Sequence, residues 1–168
     1  HPQLGDALPE FDHAEWEVLR LKTVDSESLG AWYSPGEPAQ PVVLLFHGNG
    51  GRRSTVQSQA EWLARRGNGV LLVTLRAHGD SSGDYNDVGY SSRLDVLAAV
   101  DWSHERDPDR IRVVWGQSVG GAAAVLAAAG SPRCPCCGPC PHASPAGATP
   151  AATSVRLLRE SRGGRWTS

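Results

Sequence analysis

The chain has 168 residues, a length that suits one domain. Hydrophobic residues make up 40%, and with 19 Gly added the apolar share is about 51%, a globular rather than a disordered composition. Its 16 basic and 18 acidic side chains leave a formal charge of −2, which excludes a strong electrostatic case for nucleic acid or an anionic membrane; no apolar run approaches the roughly 18 residues of a spanning helix.

These totals hide two different texts. Residues 1–130 hold 11 basic and 17 acidic side chains, whereas residues 131–168 hold 5 and 1. All four Cys fall between 134 and 140, and six of the 12 Pro follow residue 130. Core-forming patterns stop at Gly130, and no internal repeat is present. The chain opens at His1 and lacks Met, so it reads as a fragment of a longer product.

In chain order, residues 16–22 (WEVLRLK) alternate weakly, as an edge strand does. Residues 28–33 (SLGAWY) follow after a polar Asp25–Glu27 turn, which predicts an antiparallel pair. Residues 42–46 (VVLLF), 70–75 (VLLVTL) and 111–115 (IRVVW) are nearly continuous apolar runs, suited to parallel strands buried on both faces. Between the first two of these runs, Ser54 and Gln57 fit a capping box. Val56, Ala60 and Leu63 follow at helical spacing, and Gly67 is a stop. Tyr90, Leu94, Leu97 and Val100 mark the inner face of a second helix ending before Pro108. A third helix, from about Val119 to Ala129, is nearly all Ala and must pack closely. The expected fold class is α/β, with a doubly wound, mostly parallel sheet.

Gly116-Gln117-Ser118-Val119-Gly120 joins the last buried run to the Ala-rich helix. It is G-x-S-x-G in a strand–turn–helix setting, a turn so tight that the flanking positions must be small. Ser118 is thereby the candidate nucleophile. The N–H of Val119, at the positive end of the helix, is a candidate oxyanion donor. A second element, His47-Gly48-Asn49-Gly50-Gly51, follows the 42–46 run, and a third, Arg76-Ala77-His78-Gly79-Asp80-Ser81-Ser82-Gly83, follows the 70–75 run.

Together these elements resemble the α/β-hydrolase superfamily, in particular serine-aminopeptidase-like and esterase-like members with an H-G-N-x-G loop. The resemblance covers roughly residues 14–130. It implies that the second oxyanion donor is the N–H of Asn49 or of Gly50, and that His47 is structural. It also implies that the 42–46 strand lies between the other two, and that Arg76 begins an R-G-x-G-x-S loop with Ala77 where Gly is usual.

The triad of this fold runs Ser, then Asp or Glu, then His. After Ser118 the only acid is Glu160 and the only His is His142, in the wrong order. Asp80, Asp84 and Asp87 read as turn caps or solvent-facing groups. Arg52-Arg53 and Arg65-Arg66 read as solvated pairs. His104 sits on the second helix, and His1 and His13 precede the sheet; none of these is placed as a base. Completing an eight-stranded hydrolase after Gly130 would take about 84 residues, at roughly 6 per strand, 12 per helix and 5 per connection. Residues 1–130 therefore read as the N-terminal portion of an α/β-hydrolase domain. Residues 131–168 read as a Cys-, Pro-, Ala- and Arg-rich tail, disordered or a frame-shifted reading. Four Cys within seven residues do not suit a zinc tetrahedron, so no metal is expected, and no cofactor is implied.

The function expected is a serine hydrolase acting on a small-molecule carboxylic ester, thioester or amide through an acyl-enzyme on Ser118. Activity should be weak or absent in this chain, and the protein is expected in the cytoplasm. Self-association through an open sheet edge at 111–115 is expected as well. Two other readings stand beside it. One is a non-catalytic binding or nucleotide-binding α/β module, because Gly-rich turns follow strands at Gly48 and Gly116. The other is a degraded hydrolase.

Overall fold

The computed structural model describes residues 15–130. Nine segments alternate along it. Strand β1 (Glu17–Lys22) pairs antiparallel with β2 (Ser28–Ser34), in the register Glu17 opposite Tyr33. Strand β3 (Val42–Phe46) leads through a 3-10 turn (Arg53–Val56) and helix α1 (Gln57–Ala64) to β4 (Gly69–Val73). Helix α2 (Arg93–Arg106), strand β5 (Arg112–Gly116) and helix α3 (Val119–Gly130) complete the order.

The sheet runs β1-β2-β4-β3-β5, with β3 parallel to both β4 and β5 and β2 antiparallel to β4. The 42–46 strand thus lies between the other two apolar strands, as the resemblance implied. Its side chains alternate between two cores. Val42, Leu44 and Phe46 join Val96, Ala99, Val100, Val119, Ala123 and Ala127 in the core under α2 and α3. Val43 and Leu45 join Val56 and Ala60 in the core under α1. Burial on both faces is why β3 and β4 contain no polar residue. Ala-rich α3 meets β5 and α2 closely, as small side chains allow.

Several local readings need correction. No side chain caps the 3-10 turn or α1, so the Ser54–Gln57 capping box is not formed; the 3-10 turn occupies that sequence instead. Tyr90 lies before α2 and is exposed, and the buried face of α2 is Asp95, Val96, Ala99, Val100 and Ser103. That face contains a carboxylate and a hydroxyl, which a search for apolar period passes over. The 42–46 strand keeps its expected limits, the strands expected at 70–75 and 111–115 run over Gly69–Val73 and Arg112–Gly116, and Ile111 is exposed.

Arg53 is not solvated. It is 1% exposed, lies 4.7 Å over the Trp32 ring and pairs with Asp80. Asp80, read as a turn cap or a solvent-facing group, is instead held between Arg53 and Arg20, with its side chain 4% exposed. The Cys-rich segment and the other residues of the tail lie outside the described residues, as do His1, His13, His142 and Glu160.

Candidate active site

Ser118 stands between the end of β5 and the first residue of α3. Its φ is +50°, the left-handed region that a residue with a Cβ adopts only when its surroundings compel it. The compulsion is steric. A Cβ on Gly116 would lie 2.4 Å from the backbone of Gly120, and one on Gly120 would lie 2.7 Å from the His47 carbonyl O. Strand, turn and helix therefore approach closer than any side chain permits at these two positions, and Ser118 is left exposed at the carboxyl edge of the sheet. The N–H of Val119 belongs to the first turn of α3, where no intrahelical acceptor is available.

The loop after β3 meets this turn directly. The Gln117 N–H donates to Phe46 O at 3.0 Å, and a Cβ on Gly48 would stand 3.5 Å from Ser118 Cβ. Two histidines tie this loop to the one after β4. His47, fully buried, accepts the Leu75 N–H at Nε2 (3.0 Å) and has Nδ1 2.7 Å from Gly48 O. His78 accepts the Gly50 N–H at Nε2 (3.2 Å) and has Nδ1 2.8 Å from Arg76 O. In each ring Nε2 is the acceptor, which leaves Nδ1 to donate. The two rings meet edge to face at 5.1 Å. Each loop thus supplies a His to the other's backbone, and both nitrogens of both residues are used. The Asn49 side chain accepts from Asn86 Nδ2 at 2.7 Å.

Arg76 anchors the second loop. Its Nε and its backbone N–H both donate to Asp95 at 2.8 Å, and its Nη1 donates to Asp25 at 2.7 Å. Burial pushes the Asp95 carboxyl up to about 6 despite Arg76, while the hydrogen bond from Arg76 holds the more exposed Asp25 at about 2. Ala77 takes φ +58°, a left-handed conformation that Gly adopts freely, at the position where the resemblance implied Gly. The sequence reading missed the Arg76–Asp95 pair; its signal was Asp95 among the apolar residues from Leu94 to Val100 of α2. Asp87 caps the approach to α2 by accepting from the Ser91 N–H and hydroxyl, and Asp84 is exposed.

Among the described residues no cluster of His, Cys, Asp and Glu is arranged to hold a metal. None of the described helices is long and apolar enough to cross a membrane. A cleft of about 630 Å³ between β1 and α2, lined by residues such as Lys22, Leu97 and Trp102, includes none of the residues around Ser118.

Residues 37–156 match the family described as serine aminopeptidase, S33. Among curated proteins, the chain is 29% identical to the polyketide transferase ATR5 of Stachybotrys chlorohalonatus, over 67% of this chain and 40% of that protein. It is 31% identical to the quorum-quenching protein AidA of Acinetobacter baumannii, over 77% of this chain and 44% of that protein. The esterase Pf2001 of Pyrococcus furiosus superposes with a TM-score of 0.68 at 26% identity, over 77% of this chain and 52% of that structure. The chain spans less than half the length of these curated relatives.

Proposed function

The chain belongs to the serine aminopeptidase S33 family of α/β-hydrolases, and from that membership we propose that it is a serine hydrolase whose nucleophile is Ser118. The observation that carries the reading is the exposed Ser at φ +50°, held at the sheet edge by Gly116 and Gly120. Ser118 Oγ attacks the carbonyl carbon of a small-molecule ester, thioester or amide. The oxygen that gains charge is met by the N–H of Val119 and the N–H of Asn49. Gly50 is the weaker candidate for that second donor, since its N–H is engaged by His78. The acyl-enzyme forms as the alcohol, thiol or amine departs, and water then releases the acid.

The reaction also needs a base to take the Ser118 proton. His47 and His78 have both nitrogens committed, and His104 lies on α2. By family resemblance the triad acid and then the His follow the nucleophile, whereas Glu160 and His142 stand in the reverse order. The chain alone is therefore expected to turn over activated esters feebly, with the oxyanion donors as its main resource.

A fluorophosphonate probe tests the reading. It should add one phosphonyl mass to the peptide containing Ser118, and Ser118→Ala should abolish the adduct with the fold unchanged by circular dichroism. An adduct that survives Ser118→Ala, or no adduct on folded protein, refutes the assignment.

A further inference from the structure

The candidate oxyanion donor at Asn49 lies between two peptide planes, and a different histidine holds each. The Gly48 carbonyl accepts the Gly51 N–H at 3.1 Å and faces His47 Nδ1 at 2.7 Å. No described peptide is cis, so the N–H of the same unit, that of Asn49, points to the opposite side, away from His47. The next N–H, that of Gly50, donates to His78 Nε2 at 3.2 Å and so orients the plane that begins at the Asn49 carbonyl. With both planes fixed, the Asn49 backbone cannot turn and its N–H keeps one direction.

Packing does not hold the second plane. A Cβ on Gly50 would meet no atom within 4 Å, and the residue stands at φ +69°, a region that Gly enters and leaves without steric cost. One residue further on the loop is tight, since a Cβ on Gly51 would lie 3.0 Å from Thr55 Oγ1. The orientation of the Gly50 N–H therefore depends on its hydrogen bond, and the acceptor is an ionisable ring. His78 is half-buried, with Nδ1 donating to Arg76 O at 2.8 Å. The neutral ring in this tautomer has a lone pair at Nε2, whereas a protonated ring has an N–H at both nitrogens. Protonation keeps the tie to Arg76 and sets two donors against each other at Gly50. Around the ring, His47 meets it edge to face at 5.1 Å, and Arg52 has its Cβ 3.6 Å from where a Cβ on Gly79 would stand. Asp80, two residues on, is paired with Arg53 and Arg20, and the Arg76 side chain turns to Asp95 and Asp25. Each of these carboxylates is thus already matched by an arginine.

We propose that His78 is a positioning residue for the oxyanion site: the neutral ring holds the Asn49–Gly50 peptide so that the Asn49 N–H stays aimed for the substrate oxygen, and protonation of the ring releases the loop and slows acylation of Ser118. The proposal rests on the reading of Ser118 as the nucleophile. No proton passes between His78 and the substrate, so the residue is not the base that the reaction also needs. Removing one oxyanion donor costs about 10²–10³-fold in rate, and a donor set loose rather than removed should cost on the order of tenfold.

Fluorophosphonate labelling of Ser118 and amide NMR of the intact chain test this together, because the phosphonyl oxygen enters the same oxyanion site. His78→Gln offers an amide oxygen in place of Nε2 and does not titrate, while His78→Phe has no acceptor. The labelling rate of the parent divided by that of His78→Gln cancels every pH effect the two share. This ratio should fall on the order of tenfold as pH drops through the His78 titration, followed at its ring protons. The Gly50 amide proton of the parent should move upfield with the same midpoint, as an amide does on losing its acceptor, and this readout needs no variant to fold. Above the titration, His78→Phe should label on the order of tenfold more slowly than the parent, and His78→Gln should recover most of that loss. Labelling of Ser118 with a flat ratio, or with a Gly50 amide that ignores His78, overturns the positioning role and leaves the nucleophile standing. A His78→Gln protein as slow as His78→Phe also overturns it, since the imidazole itself would then be required. No labelling at any pH, with Gly50 following His78, supports the hold on the loop and overturns the nucleophile. Neither labelling nor a Gly50 shift overturns both.

Discussion

Gly120→Ala tests the packing that sets the position of Ser118. A Cβ at this position would lie 2.7 Å from His47 O and 2.8 Å from both the Cβ and the O of Phe46. Two of those atoms belong to the backbone at the end of a strand buried on both faces, so no side chain can rotate away. Carbon–oxygen contacts settle near about 3.3–3.6 Å, so the end of β3 and the first turn of α3 must separate by roughly half an ångström. Because two of the contacts are with backbone, the upper part of the overpacking range applies, about 2–3 kcal/mol; the better helix propensity of Ala returns about 1 kcal/mol, leaving a net loss of about 1–2 kcal/mol. In urea unfolding followed by circular dichroism, with a slope of about 2 kcal/mol per molar, the midpoint should fall by about 0.5–1 M. Gly130→Ala is the control, because nothing lies within 4 Å of a Cβ there, and its midpoint should stay level or rise. Labelling of Ser118 by the fluorophosphonate should slow in Gly120→Ala and not in Gly130→Ala. A Gly120→Ala protein as stable as the parent, or a control that loses as much, refutes the steric account.

Three further outcomes are expected. Ala77→Gly should stabilise the fold by about 0.5–1 kcal/mol, because relief of a left-handed Ala outweighs the added freedom of the unfolded Gly; a lower urea midpoint would contradict this. Asp95, pushed by burial to about 6, holds a proton that the unfolded chain releases near its ordinary 3.8, so its contribution to stability declines as pH rises from about 4 to 6. Asp25, held at about 2, acts in the opposite sense: its contribution is present above about pH 4 and is lost as pH falls toward 2. Urea midpoints across pH 2–7 should show the first slope flattened in Asp95→Asn and the second in Asp25→Asn; parallel profiles would refute both assignments. His47→Phe should cost about 1–3 kcal/mol by leaving the Leu75 N–H without its acceptor, while the folded protein still labels at Ser118; loss of labelling with the fold intact would give His47 a part in the chemistry.

The parts of this protein that could be read along the chain are those in which one short segment contains the whole physical cause. The runs at 42–46 and 70–75 are apolar throughout because both faces of β3 and β4 are covered, and that requirement is written into consecutive residues. Gly116, Ser118 and Gly120 are legible for the same reason. The turn is local, and its tightness excludes side chains at fixed spacing from Ser118.

What the tertiary structure decided are the partnerships between distant charges and backbones. Arg53 looks like half of a solvated pair until Asp80 and the Trp32 ring are brought beside it, and Asp95 looks like an interruption in α2 until Arg76 meets it. The reciprocal contacts of His47 with Leu75 and of His78 with Gly50 join loops 28 residues apart, and the tie from Asn86 to Asn49 spans 37. No periodicity announces such pairs. A buried charge or imidazole is tolerated only where a partner satisfies it, and that partner's position in space is set by the strand order and not by its distance along the chain.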